Sequence, residues 1–255
     1  MTKRVTAVFG GLALMFLLGP AAAVDQSIAA LPLEKKMQLA KAGDIEAKLA
    51  VGEAYELGEN VKANGAEAAK WYREAALGGN LDAQFHLAKL VGKGAPGLKV
   101  DKATAIALLS NAAKKGHAPS QNLYGLMLQN GDGLAKDEKA AVEWYRKAAD
   151  QGLAVAENNL GVMLVQGRGA DRSLDEAFKL FTRAAAGKDG WAFNNLGGMY
   201  EMGWGTPKDL EKAKQNYQHA ADLGIDIAKK NLSRLGTAQP ASAAAAPTAS
   251  GVKSP

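Results

Sequence analysis

The chain has 255 residues, 47% hydrophobic and 22% charged, with 29 glycines, 8 prolines and no cysteine. Without cysteine it can form no disulfide and carry no lipid on a cysteine beside a leader, so its stability must come from packing alone. The formal charge is +5, made of interspersed Lys, Arg, Asp and Glu as on solvated helix faces, which gives no support to a nucleic-acid partner.

Residues 1–23 read as a secretory leader. Lys3 and Arg4 precede an apolar stretch from Val5 to Leu18, followed by Gly19, Pro20 and the small residues Ala21, Ala22 and Ala23. A basic start, a short apolar middle and an A-x-A ending predict cleavage after Ala23. The apolar stretch is shorter than the roughly 20 residues that span a bilayer. No other segment is long and apolar enough to cross, so a soluble periplasmic or secreted protein with no integral membrane segment is expected after cleavage. Removing Lys3 and Arg4 leaves 29 basic residues against 26 acidic ones.

After an extension over 24–32, the segment Leu33 to Ala42 has the pattern of a single helix, with Leu39 and Ala40 in the places that Ala75 and Ala76 hold later in the chain. From there one pattern recurs every 36 or 37 residues. Ala68-x-x-Trp71-Tyr72-x-x-Ala75-Ala76-x-x-Gly79 returns as Ala141-x-x-Trp144-Tyr145-x-x-Ala148-Ala149-x-x-Gly152. Such a period means a stack of supersecondary units. Gly43, Gly79, Gly116, Gly152 and Gly224 close successive units; Lys188 stands out of pattern, with Gly187 one place early in a position to do the same job. Gly58, Gly94, Gly131, Gly167 and Gly203 close the first helix of each unit, where a left-handed residue ends a helix without a Cβ clash. Apolar and small residues at i, i+3, i+4, i+7 and i+8, as in Ala141, Trp144, Tyr145, Ala148 and Ala149, predict the second helix.

The spacings also place one extra residue between Gly94 and Ala105, where Ala95-Pro96-Gly97 predicts a turn. Trp71, Tyr72, Trp144, Tyr145, Phe181 and Tyr217 are the expected structural core, filling space beside small residues. Ile227 to Leu235 matches only the first helix and closes the stack. Lys35, Lys36, Lys229 and Lys230 are expected outward, as terminal caps require. The Ala/Ser/Thr/Pro segment 236–255 cannot bury enough surface to order itself and reads as a disordered tail. The expectation is an all-α solenoid of about five helix-turn-helix repeats over 33–235, with half-repeat caps at both ends.

Leu160-Gly161-x-x-Leu164-x-x-Gly167-x-Gly169, with Ala177 and Ala184-Ala185, resembles the Sel-one-like repeat, a relative of the tetratricopeptide repeat. So do Leu196-Gly197-x-x-Tyr200-x-x-Gly203-x-Gly205 and the Trp-Tyr pairs at 71–72 and 144–145. Repeat two departs most, with Ala88, Val91, Leu108 and Leu109 in place of the usual Gly, Tyr, Trp and Tyr. The resemblance implies a right-handed α-solenoid acting as adaptor or scaffold, in exported bacterial members within envelope signalling, secretion or polysaccharide machinery, or in host contact. It transfers no catalytic residue.

Chemistry finds little support in the residues. The glycine pairs follow helices in phase with the repeat, so they read as turns and not as a phosphate loop. His86, His117 and His219 lack i, i+4 spacing, and neither a G-x-S-x-G elbow nor an H-E-x-x-H helix is present. No metal, cofactor or catalytic residue is therefore assigned. Asn231-Leu232-Ser233 fits a glycosylation sequon but falls in the capping helix. His86, Asn159, Asn195 and Asn231 occupy one repeat position and form either a ladder bonding neighbouring backbone or a polar binding row on the concave face. Trp191, Phe193 and Trp204 lie off the shared core pattern and are candidate interface anchors, or else packing at an irregular junction. A non-catalytic binder of a protein or peptide partner is expected. A peptidoglycan or β-lactam hydrolase, or a cell-wall glycan binder, are the alternatives.

Overall fold

The computed structural model describes residues 27–237; the expected leader 1–23 and the segment from 238 onward lie outside the described residues. A short 3₁₀ turn, Ile28–Ala30, leads into α1 (Leu33–Lys41). Five helical hairpins follow: α2 (Ile45–Leu57) with α3 (Gly65–Leu77), α4 (Leu81–Lys93) with α5 (Lys102–Lys114), α6 (Ala118–Asn130) with α7 (Glu138–Ala149), α8 (Ala154–Gln166) with α9 (Leu174–Ala186), and α10 (Gly190–Met202) with α11 (Leu210–Asp222). α12 (Asp226–Thr237) closes the stack and takes in the first two residues of the expected tail. Each helix packs chiefly on the one before and the one after it in the chain, so the hairpins form an all-α solenoid.

The ends of the helices follow from their residues. Asp44, Asn80 and Asp189 cap first helices, accepting hydrogen bonds of 2.7–2.8 Å from the backbone N–H three residues on. Asp101, Asp137 and Asp209 do the same for second helices, at 2.9–3.0 Å. Gly58, Gly131, Gly167 and Gly203 end first helices in the left-handed conformation. The extra residue of repeat two falls where expected. Ala95 and Leu98 exchange backbone hydrogen bonds across the Pro96-Gly97 turn, and Gly94 leaves the common geometry, with φ 78° and ψ 162°, to enter it.

Two expectations at the helix ends are corrected. Gly187 does not take over from the missing closing glycine: its φ is −77°, and Lys188 itself adopts the left-handed conformation at φ 63°. The chain must reverse at that residue to start α10, and the stack imposes the conformation on a side chain that disfavours it. Lys36 does not face outward as Lys35, Lys229 and Lys230 do. It is buried, with its charge acting on Glu53 of α2.

The core is built from a ring laid against a glycine, repeat after repeat. A β-carbon at Gly52, Gly161 or Gly197 would stand 2.6 Å from the ring of Tyr72, Phe181 or Tyr217, and one at Gly125 would stand 3.1 Å from Tyr145. In repeat two the smaller Leu109 leaves room for Ala88, and both are buried in one cluster. Trp71, Tyr72, Tyr145, Phe181 and Tyr217 are buried as expected. Trp144 is only half-buried. Trp71 sits in a closed cluster with Ala40, Ala47 and Val51, whereas Trp144 has Tyr124 at its edge, 5.6 Å away, and the Lys147 ammonium 4.1 Å over its face.

Candidate binding site

Adjacent first helices are tied together by asparagines. Asn159 donates to the Asn122 side-chain oxygen at 2.9 Å, Asn195 to Asn158 at 2.8 Å, and Asn231 to Asn194 at 3.0 Å. The row is thus a ladder from side chain to side chain, not to backbone, and its other rail, Asn122, Asn158 and Asn194, escaped the sequence reading. The Asn158-Asn159 and Asn194-Asn195 doublets, 36 residues apart, were the available signal. His86 takes no part. It stacks on Tyr72 with ring centroids 5.2 Å apart, and its Nδ1 lies 3.4 Å from Glu56 while its Nε2 lies 3.9 Å from Glu53. Burial raises the Glu53 carboxyl above its ordinary range.

A second series runs from the second helices to the first. The hydroxyls of Tyr72, Tyr145 and Tyr217 donate to Glu56, Gln129 and Glu201, sixteen residues earlier in each case, at 2.5, 2.7 and 2.9 Å. Burial holds all three hydroxyls above the usual tyrosine range. Glu201 is in turn bonded by both terminal nitrogens of Arg234, which hold its carboxyl below the usual range. Repeats two and four break this series at both ends: Leu109 and Phe181 have no hydroxyl, and the residues sixteen earlier, Lys93 and Val165, could not accept one.

In repeat four the change borders a pocket of about 270 Å³ between α8 and α10. Val162 and Val165 come from α8, Met199 and Met202 from α10, and the buried rings of Phe181 and Tyr217 lie beneath. Gly198 leaves the space open. Its place is taken by Val162 one repeat earlier and by Leu126 before that. Trp204 closes one side from the Gly203–Gly205 turn, 38% exposed, and Asn194, Asn195 and Gln166 supply the polar atoms. An apolar hollow with a few convergent amides and an exposed tryptophan is the composition of a recognition site.

Of the six candidates from the sequence, Trp204 and Asn195 meet in this pocket, while His86, Asn159, Trp191 and Phe193 lie elsewhere. Phe193 is half-buried between the two core clusters that meet at α10, with its ring 5.3 Å from His219. Trp191 is 54% exposed on another edge, at the repeat position held by Val155 and Ile227, which are 40% and 47% exposed. Among the described residues no group of three or more His, Cys, Asp or Glu could hold a metal ion. No helix there is long and apolar enough to cross a membrane.

The Sel1 repeat model matches residues 45–80, 81–117, 118–153, 154–189 and 194–225. No curated protein matches the chain. Among solved structures, a protective antigen of uropathogenic Escherichia coli with an SLR fold is 29% identical with a TM-score of 0.72. That match covers 80% of this chain but only 44% of the antigen, so the chain spans less than half of its length. A Sel1 repeat protein from Oxalobacter formigenes is 28% identical, with a TM-score of 0.69 over 79% of this chain and 86% of that one. A third, from Klebsiella pneumoniae, is 22% identical with a TM-score of 0.54 over 81% of this chain and all of that one, and shares the fold. With five matched repeats in register with its five hairpins, the chain belongs to the Sel1 repeat family.

Proposed function

We infer that this protein is an exported, non-catalytic adaptor that holds an extended segment of a partner protein in the pocket between α8 and α10. Sel1 repeat proteins generally mediate protein–protein interaction. The observation that carries the reading here is the combination found in repeats four and five: Phe181, Val165 and Gly198 together leave an open apolar hollow beside Trp204 where other repeats have a filled polar contact. The leader-like residues 1–23 support a periplasmic or secreted location.

Trp204→Ala tests the reading, because the ring is in a turn and not in the core. Partner capture by the purified chain should weaken tenfold or more, the scale of a binding hot spot, while the melting temperature stays within a few degrees. A melting temperature that falls by many degrees with capture unchanged would make Trp204 a packing residue and remove the site.

A further inference from the structure

We propose that the segment bound between α8 and α10 is acidic: one large apolar side chain enters the pocket, and an Asp or Glu side chain next to it meets Arg172. This rests on the pocket being the binding site and adds the chemistry of its occupant. At about 270 Å³ the pocket lies below the roughly 300–1,000 Å³ of small-molecule sites and suits a single side chain. Its lining calls for an apolar one.

The charge beside it comes from Arg172. That side chain is fixed at two points, donating from Nε to the Val165 carbonyl at 3.1 Å and lying 5.3 Å over the Trp204 ring. Its terminal N–H groups have no partner among the described residues. Of the five other described arginines, Arg146, Arg168, Arg183 and Arg234 each hold a carboxylate, and Arg73 lies exposed on α3, far from the pocket in the stack. Lys208, on the same turn as Trp204, has no carboxylate within ion-pair distance among the described residues, though its charge acts on Glu201. Glu201 is the carboxylate bonded to the pocket residue Tyr217, and Arg234 already answers it. An arginine held over an aromatic ring with its fork free is arranged to take a carboxylate.

The amides point to an extended main chain. The ladder uses the oxygen of Asn194 and one N–H of Asn195. That leaves an N–H donor on Asn194 and the oxygen acceptor on Asn195, the two kinds of group that a peptide backbone answers. The ladder continues on α6, α8 and α12, so a segment passing through the pocket finds similar amides on either side. A segment that passes through favours an internal Asp or Glu over a chain end.

The test selects a random dodecapeptide library displayed on phage against the full chain, with parallel selections on Trp204→Ala and on Gly198→Leu, which fills the pocket and removes nothing. Circular dichroism melts of each variant confirm folding. Enriched peptides should carry Asp or Glu within two residues of a large apolar residue and be lost on both variants. For an enriched synthetic peptide, changing its acids to amides should weaken binding about tenfold on the native chain. The same change should have no effect on Arg172→Gln, because the charge pair is already gone. Peptides that depend on Trp204 and Gly198 yet are neutral or basic, or that bind Arg172→Gln as tightly, would overturn the acidic occupant and leave the binding site standing. No enrichment, or enrichment indifferent to Trp204 and Gly198, would overturn both.

Discussion

A β-carbon built on Gly197 would stand 2.6 Å from the Tyr217 ring, whereas one built on its neighbour Gly198 meets only the Tyr217 hydroxyl, at 3.6 Å. Gly197 is therefore there for the close approach of the ring, and Gly198 for the hollow. Gly198→Ala should stabilise the protein by about 0.5–1 kcal/mol, the usual gain on replacing a glycine inside a helix. Gly197→Ala should destabilise it by about 1–3 kcal/mol through overpacking. Denaturant unfolding of the two variants checks this, and shifts of the same sign would contradict the placement of the ring. The function of Gly197 is legible in the sequence because it recurs with the repeat. Gly198 is not, because periodicity records which positions are apolar and is silent where a side chain is missing from a surface. The left-handed backbone of Lys188 could be read only from register: its residue type carries no mark of it, but position 188 is the one that Gly152 and Gly224 hold in the neighbouring repeats.

Between elements, the hydroxyl of each second-helix tyrosine and the acceptor sixteen residues earlier form one unit, and repeats two and four have each lost both halves. Phe181→Tyr should bring a hydroxyl beside Val165 with nothing to accept it, at a cost of about 1–3 kcal/mol. Adding Val165→Glu should recover most of that loss, and the same double variant should abolish partner capture because the pocket becomes polar. Thermal melts and binding on the three variants decide it. If the double variant is no more stable than the single one, the two positions do not form such a pair. The helices, their caps and the one-residue insertion could be read from spacing, since glycine and alanine recur wherever the geometry repeats. The pocket could not, because it arises from a coincidence of Phe181, Val165 and Gly198 on three different helices. Trp204 and Asn195 could be picked out only as departures from, or polar marks on, the pattern.

Along the whole molecule the two halves differ in character. The position of Trp191 is held by Glu46 and Asp82 in repeats one and two, then by Val155, Trp191 and Ile227 toward the end of the stack. Among the described residues the asparagine ladder likewise joins α6 through α12 and no earlier helix. A solenoid in which each unit leans mainly on its neighbours can carry such a gradient. Met202 and Leu57 allow the two ends to be compared directly. They hold the same repeat position and are both exposed, but only Met202 lines the pocket. The measurement is photo-crosslinking in intact cells from a benzoylphenylalanine placed at one position or the other. A binding pocket between α8 and α10 requires a covalent adduct with a protein of defined size from position 202, none from position 57, and loss of the adduct when Gly198 is changed to Leu. No adduct from 202, or the same adduct from both positions, would contradict it.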